Sequence, residues 1–327
     1  MAIEGLGCAP RTRALVWPRE FSLTIVTPSA APPYRHFILT RFWFSKTPRG
    51  SDALASDPHE WLEHRLKLFR SYCLPSVVGQ SCQDFRWFIC FDVRAPGEFV
   101  AKTRELTAPS NNIEILTLNE WYVPSHISPW KGLPPRKSEI IENIIARADG
   151  AGWVLTTRLD SDDGLHRDFV KRLSQAIDEN KQQFLNFPNG IIFNKGKSYL
   201  YHHQSNAFIS LFEPLGGMKT VLCALHERVN EVGLPIRQLS PVPAFLQVVH
   251  GANDSNKIRG YRVPKILALQ GFESVRALYD APLEESDVEI LLSNAFLGPF
   301  RSGRDRLVNQ AKRIYDYLQK RGHVPAA

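Results

Sequence analysis

The chain has 327 residues, a hydrophobic share of 43%, a charged share of 22% and a formal net charge of +7. That length buries a full core in one large or two small domains, and that composition excludes a disordered or fibrous chain. No apolar run reaches the roughly 18 to 20 residues needed to cross a bilayer, and the positive balance favours anionic partners without choosing among nucleotide diphosphates, anionic lipid and nucleic acid.

The start of the sequence lacks the compact basic, apolar, small-residue series of a signal peptide, so an intracellular, cytoplasmic protein is expected. Five cysteines (Cys8, Cys73, Cys82, Cys90, Cys223) are odd in number and contain no C-x-x-C pair, which predicts reduced core residues rather than a zinc or disulfide framework.

Residues 1–35 carry Pro10, Pro18, Pro28, Pro32 and Pro33 with little periodicity and are expected to form a loosely ordered arm. "HFILTRFWF" from His36 suits a central strand. From Trp61 onward, Leu62, Leu66, Phe69 and Cys73 recur on one helical face, and Pro75 must break or kink that helix. "FRWFICFD" and "IEILTL" predict two further strands, Ile140, Ile141, Ile144, Ile145 and Ala148 a helix, and "GWVLTTRLD" a fourth strand.

After this alternation, Phe169, Val170, Leu173, Ala176 and Ile177 mark another amphipathic helix, and "GIIFNKGKSYLY" predicts a hairpin around Asn194, Lys195 and Gly196. From Arg301 to Arg321 an apolar stripe opposes several basic residues, a terminal helix that either packs on the core or rests peripherally on anionic membrane. The whole predicts an α/β chain with a central, mostly parallel sheet, helices on both faces and a mixed C-terminal half. A single folded domain is expected over 36–327, its 36–165 half binding donor and its 166–300 half binding acceptor.

The chemistry concentrates in "TTRLDSDDGL", Thr156 to Leu165. Read as extended chain, Asp160 and Asp162 project to one face while Ser161 points away, at the carboxyl end of a strand where open α/β sheets bind ligands. Oxygen donors so close together suit Mg²⁺ or Mn²⁺, which are held by one or two carboxylates and complete their shell with phosphate and water. The alternative is that these residues cap the next helix, a role that would suffice for Asp163. A calcium loop does not fit, because Gly164 and Lys171 stand where ligands are required.

Leu159 to Asp163 resembles the D-x-D element of nucleotide-sugar glycosyltransferases with the GT-A fold. "LPSVVGQSCQDFRWFICFD" is similar to the helix, Gln-Ser and strand segment of family 2 glycosyltransferases. Taken in order, "LTRFWF", "RLKLFRSYCLPSVVGQSCQDFRWFICFD", "TTRLDSDD" and "QVVHGANDSN" resemble the bacterial family called putative rhamnosyltransferases over roughly residues 37 to 256.

The resemblance implies a nucleotide-diphosphate sugar as donor and a glycan or lipid-linked acceptor in surface polysaccharide synthesis. It implies that Arg41 and Asp92 border the nucleotide, that Asp160 and Asp162 hold the metal, and that His250 after "AFLQVV" adds a ligand. One departure is that no Glu-Asp dipeptide, the catalytic base of typical family 2 enzymes, follows the D-x-D. For the base, a carboxylate able to take the acceptor proton, Glu213 is the candidate, with Asp254 and Glu227 behind it. Arg158, Arg136 and Lys137 are candidates for neutralising the diphosphate, Arg158 being equally suited to pairing with Asp160. His250 is weighed against His202, His203 and His226, each able to serve as a hydrogen-bonded structural residue. The rival from another class is a non-catalytic nucleotide or glycan binder with the same fold. A nucleic-acid binder has only the positive charge in its favour, so no nucleic-acid partner is expected.

Overall fold

The computed structural model describes residues 34–44, 58–119, 121, 138–178, 181–250, 257–280 and 286–298. All of them belong to the unit that spans Pro32–Ala327. The expected N-terminal arm up to residue 33, the Pro-rich loop 123–135, Arg136, Lys137, Asp254 and the basic helix 301–321 lie outside the described residues.

Strands β1 (Tyr34–Trp43), β2 (Arg86–Asp92), β3 (Ile113–Leu118) and β4 (Trp153–Arg158) form a parallel block in the order β3-β2-β1-β4. The expected arm boundary moves, because Tyr34 and Arg35 already pair with Trp153 and Val154. Three later strands extend the same sheet to seven: β6 (Gln183–Asn186), β9 (Ser210–Pro214) and β10 (Ile236–Gln238). Of these, β9 runs antiparallel to both β4 and β6. The second sheet has five strands in the order β12-β8-β7-β11-β5. They are β5 (Gly164–Leu165), β7 (Asn189–Asn194), β8 (Lys197–His202), β11 (Phe245–Val248) and β12 (Tyr261–Val263).

The α/β expectation therefore holds, with a parallel first half and a mixed second half. The large sheet nevertheless takes strands from both halves, so the two halves of the chain share one sheet.

Helices cover both faces because alternate strand residues are apolar on each side. On one face Ile38, Phe42, Trp87, Ile89 and Leu155 meet three helical runs. These are α1 (Pro58–Leu68) with its continuation α2 (Leu74–Val78), α3 (Gly97–Thr107) and α5 (Phe169–Ala176). On the other face Phe37, Leu39, Phe88, Cys90 and Val154 meet Ile140 and Ile144 of α4 (Glu139–Ile145). Ile145, expected on the same buried face, is 51% exposed. Pro75 does not end its helix. The chain widens through a π-helical stretch, Phe69–Cys73, and Pro75 then falls at the first turn of α2, a position where proline is tolerated.

The predicted hairpin forms between β7 and β8, with Lys195 at φ 46° and Gly196 at φ 80°. Two successive positive φ values are what a two-residue turn needs to match strand twist. Of the described cysteines, Cys73, Cys90 and Cys223 are buried and Cys82 partly so, and all are free thiols.

Candidate active site

The acidic segment leaves the sheet at its carboxyl edge. Leu39 of β1 lies opposite Arg158 of β4, and Leu159 N–H still donates to Leu39 C=O at 3.1 Å, so Asp160 is the first residue clear of the ladder. The chain then turns tightly: Asp163 N–H donates to Asp160 C=O at 3.2 Å. This differs from the extended conformation expected from sequence. In this turn the three carboxylates take different partners.

Two anchors hold the turn. Ser76 Oγ in α2 accepts from Leu165 N–H at 3.1 Å and donates to Cys73 C=O at 2.7 Å. A Cβ on Gly164 would stand 3.3 Å from that hydroxyl, so a side chain there would have to push Ser76 back by a few tenths of an ångström. Gln80, from the Gln-Ser element, is the second anchor. Its Nε2 donates to Ser76 and His166 carbonyls, both at 2.9 Å, and its Oε1 accepts from Val170 N–H at 3.1 Å. On the far side β5 pairs antiparallel with β11, which carries the chain past the turn toward His250.

Asp163 is consumed by this scaffold. It is 1% exposed, and its Oδ1 accepts from Val248 N–H at 2.9 Å; the residue preceding α5 is instead Asp168. Burial, followed by the charges of Asp162 and Asp160, pushes its acid well above the usual carboxylate range. Asp162 is also buried, at 4% exposed, but its two oxygens meet cationic or N–H-bearing side chains. Arg65 Nη1 of α1 lies 2.5 Å from Oδ1, and His250 Nε2 donates to Oδ2 at 2.8 Å. His64 Nε2 is in turn 3.3 Å from His250 Nδ1. Burial alone would raise the pKa of Asp162; Arg65 and the His250 bond outweigh it and hold the group below its ordinary value. Asp160 is the open member, one-third exposed, with Arg158 Nη2 at 3.8 Å from its Oδ1.

Arg41 lies on β1 two residues beyond Leu39, and Asp92 ends β2 opposite Leu118. Strand alternation puts Arg41, Asp92 and Arg158 on the face covered by α4, all at the carboxyl edge. Asp92 is 1% exposed and is bound by the Arg94 guanidinium, with Nε at 2.7 Å and Nη2 at 2.5 Å. His226 belongs to this side. Burial first and then the Arg158 charge press its pKa down to about 3, and its Nδ1 has no hydrogen-bond partner among the described residues. His202 and His203 are engaged locally, with Asn189 and with Ser205 N–H.

The structure does not bring Glu213 to this place. Glu213 pairs with Val154 near the start of β4, and from there to Arg158 an extended strand covers on the order of 13 Å. It is fully buried, accepting from Lys219 N–H at 3.0 Å and Thr220 N–H at 2.7 Å. The carboxylate therefore closes a loop at the amino end of β4. Glu227, at the start of the short 3₁₀ segment His226–Val232, is exposed.

Among the described residues no three His, Cys, Asp or Glu side chains converge on a single point. Asp162 and His250 do meet, and Asp160 offers an exposed carboxylate two residues earlier. A carboxylate oxygen and an imidazole nitrogen are donor types that Mn²⁺ and Mg²⁺ take together with phosphate and water, so the chemistry of the residues present fits such an ion. Sequence reasoning missed Arg65 and His64. Their only local signal is the four-residue spacing of Trp61 and Arg65, whose guanidinium lies 4.7 Å from the centroid of the Trp61 ring.

Residues 51–262 match a family described as "Putative rhamnosyl transferase". No curated protein matches the chain. Among solved structures, S. aureus TarS 1-349 in complex with UDP is 12% identical, with a TM-score of 0.37, covering 78% of this chain and 68% of that one. The same protein in complex with UDP-GlcNAc is 10% identical with a TM-score of 0.39, covering 78% and 69%. A putative nucleotide-diphospho-sugar transferase from Desulfovibrio desulfuricans G20 is 13% identical with a TM-score of 0.32, covering 82% and 98%.

Proposed function

The chain belongs to the putative rhamnosyl transferase family, and from that premise we propose that it moves a sugar from a nucleotide-diphosphate donor to a hydroxyl of a glycan or lipid-linked acceptor in surface polysaccharide synthesis. Rhamnose is the sugar to which the family description points. The observation that carries the proposal is the meeting of Asp162, His250 and Arg65 beside Asp160 and Arg158, at the carboxyl edge where open α/β sheets take their ligands.

Asp160, Asp162 and His250 would hold a Mn²⁺ or Mg²⁺ ion, which when bound supplies Lewis-acid neutralisation of the diphosphate leaving group. The chain's own residues bind and orient. Arg41 and Arg158, on one face of the sheet, offer guanidinium donors to a diphosphate laid across the strand ends. Asp92, fixed by Arg94, borders the nucleotide as a hydrogen-bond acceptor. The buried anchors at Ser76 and Gln80 keep the turn in place, so that the donor meets preset groups rather than ones that must reorganise. Glu213 has no part in this proposal, since it accepts two backbone N–H groups at the opposite end of β4.

A panel of activated sugars tested by thermal shift, with and without Mn²⁺, identifies the donor, because a ligand of the native state stabilises it by mass action. The expected result is a rise in Tm for one nucleotide sugar that is larger with Mn²⁺ and is accompanied by slow release of nucleoside diphosphate. A Tm rise with no turnover in the presence of acceptor glycans would favour the non-catalytic binder instead.

A further inference from the structure

We propose that Arg65 is the resident counter-cation of Asp162, and that a divalent ion arriving on this carboxylate releases the guanidinium to the donor's diphosphate; the inference rests on the function proposed above. An uncompensated carboxylate at 4% exposure would be costly, and among the described residues Arg65 compensates it, with Nη1 at 2.5 Å from Oδ1. Oδ2 also accepts from His250, so Arg65 shares this carboxylate with a second donor.

A metal ion bound to the same carboxylate would sit about 2.0 to 2.2 Å from an oxygen. Arg65 would then face a divalent charge at close range with little water between, and the two cations exclude each other. The Arg65 side chain is 15% exposed, and its guanidinium lies 4.7 Å from the centroid of the Trp61 ring one turn earlier in α1. The planar fork of arginine can engage phosphate oxygens in pairs, whereas at Asp162 it shares the carboxylate with His250. The consequence is linkage: without a diphosphate to receive Arg65 the site takes up metal weakly, and with one it takes up both.

The test uses the full chain with Mn²⁺ alone, followed by uridine diphosphate as the diphosphate probe. Free Mn²⁺ is followed by its electron paramagnetic resonance signal for the wild type, Arg65→Gln, Arg65→Lys and Asp162→Asn. Uridine diphosphate affinity is then measured at one Mn²⁺ concentration that saturates every variant binding the ion. The expected result has opposite signs: Arg65→Gln binds Mn²⁺ about tenfold more tightly than wild type and uridine diphosphate about tenfold more weakly. Arg65→Lys, which keeps the charge, stays near wild type for Mn²⁺ and serves as the readout if the glutamine variant does not fold, since it should still lose diphosphate affinity for want of the fork. A residue that only supports the fold would weaken both ligands together, and that outcome, or unchanged Mn²⁺ affinity in Arg65→Gln, overturns the proposal. If Asp162→Asn binds Mn²⁺ as well as wild type does, the metal site itself is misplaced, and the proposed function fails with it rather than Arg65 alone.

Discussion

Asp160, Asp162 and Asp163 are three neighbours with three fates, and the difference lies in their partners. Asp163 is spent on a backbone N–H, Asp160 faces solvent beside Arg158, and Asp162 is buried between an arginine and a histidine. Glu213 is the contrasting carboxylate. Burial pushes its pKa up to about 7 against an ordinary value of 4.5, in spite of the N–H bonds it accepts from Lys219 and Thr220. A raised folded-state pKa means that the stability this group contributes is fully present below about pH 4.5 and is lost as pH rises through about 7. As pH rises from 5 to 8, the urea-unfolding stability of wild type relative to Glu213→Gln should therefore fall by at most about 3 kcal/mol. A difference between the two proteins that does not change with pH would contradict this.

Among the elements, α2 and the segment that follows the acidic turn act as one body because a single buried amide serves three backbone groups on both. Gln80→Ala strands the His166 carbonyl and the Val170 N–H in the interior and should cost about 2 to 4 kcal/mol. Because the turn loses its footing, donor affinity should fall in the same variant while far-UV circular dichroism stays native. A variant as stable as wild type would show that water replaces the amide.

Much at this scale was legible beforehand. The alternation of apolar runs in "FRWFICFD" and the helical spacing of Leu62, Leu66, Phe69 and Cys73 fix their elements locally, and Lys195-Gly196 fixes its hairpin through φ preference alone. The run after Arg158 was not legible as a turn, because its shape is set by Ser76, Gln80 and Val248, which reach it from distant parts of the chain. Arg65 escaped notice for the same reason: nothing near it in sequence marks a contact with Asp162. The placement of Glu213 failed on strand direction. The run that ends at Glu213 is antiparallel to β4, so its end arrives at the wrong edge of the sheet, and sequence pattern does not report direction.

For the whole molecule, the order β3-β2-β1-β4 brings Arg41, Asp92, Arg158 and the acidic turn to one edge, and β11 returns from the second sheet to bring His250 against Asp162. Among the described residues no helix is long and apolar enough to cross a membrane. Because the large sheet takes strands from both halves of the chain, unfolding should be a single cooperative transition across them. Two resolved transitions in calorimetry would contradict that.

The central claim is that the Asp162 carboxylate serves the donor's diphosphate. It is tested most directly by the rate of nucleoside diphosphate release from the stabilising nucleotide sugar, in wild type and in Asp162→Asn of verified native circular dichroism. The account predicts a loss of about a hundredfold or more in the variant, the scale of removing one group that stabilises developing charge. A rate within a few fold of wild type would contradict it.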